Sequence, residues 1–184
     1  MRKKDDTLRE ALLDFACEIA DTEGIQAINI RALAKKANVA TGTVYNYFTS
    51  KDEILLAITE KYWQQTLLEM KTAVTSGSFC EQLQEIFIFL KEQIQKSAGT
   101  LMGSLGNAAA EGYIRMMSMQ SELETELIRR MEQDNDIPGD IWDETFTQRQ
   151  FVRFIMMNLM LLLKTQASDI NFLIAIIKRS IYGT

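Results

Sequence analysis

Seven residues in a row offer hydrogen-bonding chemistry of a kind that suits a nucleic acid. Between Thr41 and Tyr47 the chain reads T-G-T-V-Y-N-Y, with Phe48 next. If this stretch is a helix, Val44 and Phe48 turn inward, and Thr41, Gly42, Thr43, Tyr45, Asn46 and Tyr47 turn outward. The outward set is hydroxyls, one carboxamide and aromatic tips, with no acid among them. Hydroxyl and amide groups bond base edges in the major groove, and tyrosine hydroxyls commonly meet phosphates. Lys51 opens the following segment, where its charge adds to exposed backbone amides. The competing reading of Tyr45 and Tyr47 is that of half-buried core aromatics.

Charge is distributed in a way that fits this reading. The net charge is −5 over 184 residues. Residues 1–51 hold eight Lys or Arg against seven Asp or Glu, and no acid occurs from Gly24 to Lys51. Arg31, Lys35, Lys36 and Lys51 fall in that acid-free window. Such a patch is either a solvated face or a surface for a polyanion. Arg2, Lys3 and Lys4 read as a frayed terminus or as an arm for the minor groove.

Other chemistries are removed by composition. Histidine is absent, which excludes Ser-His-Asp and Cys-His catalysis and histidine-based metal sites. Cys17 and Cys80 are far apart and form no C-x-x-C. Without a Gly-rich phosphate loop either, the expectation is a non-enzyme with no metal and no cofactor. MRKKDD lacks the apolar stretch of a signal peptide. The longest uncharged apolar run, Phe154 to Leu163, falls short of the roughly 18–20 residues that span a bilayer. Lone thiols then suit a reducing, cytoplasmic setting with no membrane partner.

The elements that would carry these residues read as helices throughout. Thr7 to Glu10 resembles a capping box ahead of an inner face of Leu8, Leu12, Phe15 and Ile19. Gly24 ends that helix. Asn29 caps a second, short one with Ile30, Leu33, Ala34 and Ala37 inward, and Asn38 to Ala40 breaks it. Thr41 to Phe48 also has strand propensity, but a lone strand would have no partner, so helix is expected. Ser50 to Glu53 predicts another box, leading a long helix lined by Ile54, Leu55, Ile58, Tyr62 and Leu68. Ser78 to Glu81 caps a helix with Leu83, Ile86, Phe87, Leu90 and Ile94 on one stripe, closed by Gly99. Residues 100–119 look helical, and Ser121 starts a charged helix to about Gln133. An acidic loop, 134–143, precedes two strongly apolar helices near 145–166 and 169–182. Eight or nine helices with short loops make an all-α protein.

Residues 29–51, NIRALAKKANVATGTVYNYFTSK, followed by DEILLAI, resemble the DNA-binding domain of the TetR family of bacterial transcriptional regulators. The likeness covers about residues 8–65. It rests on the I-R-x-L-A start, the A-x-V turn, the G-T-V-Y-x-Y-F recognition helix and the S-K-D-E-I-L continuation. Asn29, Asn38 and Ala40 stand where Thr, Gly and Ser are usual. The resemblance implies that Thr41, Thr43 and Asn46 face bases or nearby phosphates, and that Gly42 permits close approach to the duplex. Tyr45, Tyr47 and Lys51 would contact the backbone, and Asn29 and Arg31 belong to the same DNA-binding set.

It also implies a C-terminal domain, 51–184, for ligand binding and dimerisation, behind a helix-turn-helix domain over 1–50. Eight of the ten methionines lie between Met102 and Met160, and methionine either lines an adaptable pocket or fills a core. Phe87, Met102, Gly106, Asn107, Glu111, Met156 and Met160 are the candidate ligand residues. A pocket of this kind suits a small hydrophobic effector, or a cationic one if Glu111 lines it. The last two helices are apolar on nearly every side, so they are central or form an interface. The family favours an interface, with Phe151, Phe154, Met157, Leu161, Phe172, Ile174 and Ile177 as candidates. The expectation is a homodimeric regulator, a repressor released from a palindromic double-stranded operator by its effector. The alternative is a protein-binding adaptor or co-activator on the same fold, without a ligand.

Overall fold

The computed structural model describes residues 6–75, 77–94 and 109–183, with the backbone alone for 109–119. Every regular element among them is helical: α1 (Asp6–Glu23), α2 (Ile30–Lys36), α3 (Thr41–Tyr45), α4 (Lys51–Ala73), α5 (Phe79–Gln93), α6 (Ala109–Glu132), α7 (Gln148–Lys164) and α8 (Asn171–Ile181). Single 3-10 turns occur at Ile25–Ala27 and Gly139–Ile141. The all-α expectation holds, and the segment after Thr41 is helix rather than strand. The chain divides into two compact units, Met1–Gln64 with Ser97–Met116, and Gln65–Lys96 with Met117–Thr184. That division falls inside α4.

The first unit is a small core closed by α1 to α4. Leu12, Leu13, Ala16 and Ile19 of α1 meet Ile30, Leu33 and Ala34 of α2, Val44 of α3, and Ile54, Leu55 and Ile58 of α4. Leu8 and Phe15 are only partly covered, so Leu13 and Ala16 complete the inner face instead. α1 begins at Asp6, which puts Thr7 within its first turn rather than ahead of it. Gly24 ends α1 with φ at 86°, a conformation glycine adopts without Cβ strain. Three charged or polar contacts tie α1 to its neighbours: Glu18 to Lys36 at 2.7 Å, Asp14 to Lys61, and Asp21, which accepts from the Tyr62 hydroxyl at 2.6 Å.

At the head of α4 the anticipated capping box is modified. Ser50 Oγ accepts from the Glu53 amide at 3.1 Å. The Glu53 carboxylate turns to Thr49, whose amide and hydroxyl both donate to it, at 2.6 and 2.8 Å. Thr49 offers two donors within reach of one oxygen, which explains the preference. Further along α4, Leu68 is exposed while Leu67 and Met70 are buried, so the inner stripe lies one position away from the one expected.

The second unit contains α5, α7 and α8, with α5 packed on both of the others. Capping boxes at Ser78 with Glu81, and at Thr147 with Gln150, start α5 and α7. α6 runs unbroken through Ser121, so no new helix starts there. No proline interrupts the segment, and one glycine costs a helix only about 1 kcal/mol. Gly99 lies outside the described residues. The loop after α6 is not simply a solvated acidic turn. Asp134 is buried and accepts from the Phe79 amide at 2.7 Å, the Asp136 amide at 3.0 Å and the Tyr182 hydroxyl.

Candidate nucleic-acid interface

The helix-turn-helix is built from short-range bonds that the sequence encodes. Asn29 Oδ1 accepts from the Ala32 amide at 2.9 Å and starts α2. Asn38 takes φ of 52°, the left-handed turn conformation. Asparagine tolerates that conformation better than most residues. The Val39 amide then returns to the Ala34 carbonyl at 3.0 Å. α3 follows with Ala40 as an N-cap that has no side-chain bond to offer. Val44 and Phe48 are fully buried and fix how α3 sits on α1 and α2. The Arg9 guanidinium lies 5.7 Å over the Phe48 ring.

Four of the six residues expected to face outward from α3 do so fully, and two only in part. Thr41, Gly42 and Asn46 are exposed, as is Tyr45 at 55%, while Thr43 and Tyr47 are half-buried. Tyr47 packs against the core cluster, so its ring is structural even if its hydroxyl reaches outward. A Cβ added at Gly42 would meet nothing within 4 Å. The protein itself therefore does not require glycine at that position.

The basic residues sort into engaged and available groups. Lys36 is held by Glu18 and Lys61 by Asp14. Lys51 is half-buried, and its Nζ donates to the Gln26 carbonyl at 3.4 Å, beside the helix-turn-helix rather than far from it. Arg31 and Lys35 are exposed on α2 and form no ion pair among the described residues. They are one helical turn apart on the same side. Nothing in the sequence distinguishes Lys35 from Lys36, because only the packing of α2 on α1 brings Glu18 to one and not the other.

The remaining candidate residues lie in different settings. Phe154, Met157 at 71%, Leu161 at 57% and Phe172 at 79% are exposed on α7 and α8. Phe151, Ile174 and Ile177 are buried in the core and are not available to a partner. Their side chains face inward because the helices are central on one side and bare on the other. Phe87 and Met156 are buried and Met160 is half-buried. Met102, Gly106 and Asn107 lie outside the described residues, as does the side chain of Glu111. No helix among the described residues is long and apolar enough to cross a membrane.

Comparison with known proteins places the helix-turn-helix in a family. Residues 12–58 match the model of the bacterial regulatory proteins of the tetR family. The chain is 33% identical over 69 residues to the HTH-type transcriptional repressor KstR of Mycolicibacterium smegmatis, covering 38% of this chain and 34% of that protein. It is 31% identical over 97 residues to an uncharacterised HTH-type transcriptional regulator of Haemophilus influenzae, covering 50% and 52%. These alignments span about a third to a half of the relatives' own lengths. Over nearly the whole chain the fold resembles that of a transcriptional regulator from Rhodococcus sp. RHA1, with a TM-score of 0.65, 14% identity and 94% of each chain covered. A helix-turn-helix capped by Asn29, closed at Asn38 and bare along α3 thus accompanies the family's own sequence pattern, and residues 12–58 of this chain carry the pattern of the bacterial regulatory proteins of the tetR family.

Proposed function

We propose that the protein is a homodimeric DNA-binding transcriptional regulator, a repressor released from a two-fold operator by a small hydrophobic or cationic effector. The observation that carries the DNA-binding part is the outward face of α3. It presents Thr41, Gly42, Tyr45 and Asn46 to solvent in a stretch free of acids, beside Arg31 and Lys35 of α2, which have no ion pair among the described residues. A helix with this surface fits the major groove, while α2 crosses the phosphate backbone.

Self-association is supported by the exposed Phe154, Met157 and Leu161, which follow one another at helical spacing on α7, and by Phe172 on α8. An apolar stripe of this kind is what a symmetric partner covers. The effector reading is supported by the family and by the methionine-rich C-terminal sequence. Effector and operator would act through a population shift, each favouring a different conformation.

The test is an unbiased selection of duplex DNA by the full chain, with sedimentation of the free protein, and with hydrophobic and cationic compounds added in parallel. Enriched half-sites related by a two-fold axis, about 10 bp or a multiple apart, released by a compound, support the proposal. A stable monomer that enriches no sequence overturns it in favour of an adaptor.

A further inference from the structure

We propose that α3 selects adenine–thymine pairs: Asn46 pairs the major-groove edge of an adenine, and the methyl groups of Thr41 and Thr43 meet thymine methyls. This rests on the DNA-binding reading above and adds which bases are read.

The first argument is what α3 lacks. From Ala40 to Thr49 there is no Lys, Arg, Asp or Glu. Guanine offers two acceptors in the major groove, met best by Arg or Lys, and cytosine offers a donor met by an acid. Neither member of a G·C pair finds its usual partner on this helix. Arg31 and Lys35 sit on α2, the helix that crosses the backbone, where phosphates are the acceptors at hand.

The second argument is what α3 keeps uncommitted. A carboxamide presents a donor and an acceptor side by side, the complement of adenine N7 and its exocyclic amine. Among the described residues, the side chains of Asn46, Thr41 and Thr43 make no hydrogen bond. Several such groups elsewhere are engaged within the chain. Thr22, Thr59, Thr125 and Thr165 donate to carbonyls of their own helices four residues back. Asn29 is occupied as a cap, and Asn158 donates to the Phe154 carbonyl.

The third argument is access. Gly42 precedes Asn46 by one helical turn on the same side. With no Cβ and open space around it, Gly42 leaves the approach to the Asn46 carboxamide clear. A base pair can therefore come close to the backbone at 42 while its edge meets position 46.

The experiment selects operators from random duplex DNA with the full chain and with Asn46→Ala, then replaces single bases in the selected site. An adenine in each half-site should lose its preference in the Asn46→Ala variant. Placing 7-deazaadenine there removes one acceptor and should weaken binding of the native protein about tenfold, with no further loss in the variant. Deoxyuridine in place of the contacted thymines removes only the methyl and should weaken binding a few-fold. A guanine or cytosine at the Asn46-dependent position, or full affinity after both base replacements, overturns the inference while DNA binding stands. Enrichment of no sequence overturns the DNA-binding reading and this inference together. Should Asn46→Ala not fold, the base replacements with the native protein decide alone.

Discussion

Tyr182, just past α8, donates its hydroxyl hydrogen to the carboxylate of Asp134, 48 positions earlier in the chain. The same carboxylate accepts from the Phe79 amide at the head of α5 and from the Asp136 amide. One buried acid therefore joins the start of α5, the end of α6 and the end of α8. Burial by itself would raise its pKa, but the three donors outweigh burial and hold it below the ordinary aspartate value of 3.8.

The sign of the pH dependence follows. A depressed carboxyl pKa contributes stability that is present above the unfolded value and lost as pH falls through the folded one. Thermal or urea unfolding should therefore show a loss of stability as pH drops below about 4 that is smaller in Asp134→Asn. At neutral pH that variant should be less stable than the native protein by about 1–3 kcal/mol, since it weakens bonds to buried donors. An Asp134→Asn protein with native stability and an unchanged acid profile would show that Asp134 contributes nothing.

Glu126 and Arg130, one turn apart on α6, are 5% and 4% exposed and bonded at 2.7 Å. Arg130 also donates to the Val74 carbonyl and to Gln82, and Arg129 donates to Glu126 from the solvent side. Removing one member leaves a buried charge, so Glu126→Leu should cost about 3–5 kcal/mol in chemical denaturation. The double variant Glu126→Leu with Arg130→Met should recover most of that loss. Equal losses in the single and double variants would contradict the coupling.

Gly42 gives a prediction with opposite signs in two measurements. Glycine within a helix is less stable than alanine by about 0.5–1 kcal/mol, and a Cβ at 42 meets nothing. Gly42→Ala should raise the melting temperature slightly and weaken binding to the selected operator. Unchanged DNA affinity would remove position 42 from the interface.

The two apolar helices can be probed by one substitution on each side. Leu161→Glu changes an exposed residue and should give a folded, sedimenting monomer. Ile174→Glu introduces a charge at a position only 6% exposed and should unfold the second unit, read by loss of cooperative melting. A Leu161→Glu protein that remains a native dimer would place the interface elsewhere.

The helix-turn-helix was legible from the sequence because its determinants are local. The Asn29 cap, the Asn38 turn and the inward Val44 and Phe48 depend on neighbours a few residues away, and backbone sterics fix their roles. The polarity of α3 was legible for the same reason, since every outward residue belongs to one short run. Glu126 and Arg130 were also within reach. They share a face with Leu123, Leu127 and Met131, yet a charged pair at this spacing more often lies in solvent.

Tertiary packing decided what depends on distant partners. Glu18 pairs with Lys36, while Lys35 has no ion pair among the described residues, because of how α2 crosses α1. Phe154, Met157 and Leu161 are bare while Phe151, Ile174 and Ile177 are buried, a distinction invisible in helices that are apolar all round. Asp134 sits in an acidic run that reads as solvated loop, and only the arrival of Phe79 and Tyr182 from far along the chain makes it a buried acceptor. Periodicity reports that a residue is able to face a core, but which neighbour meets it is set by contacts between segments that sequence spacing does not encode.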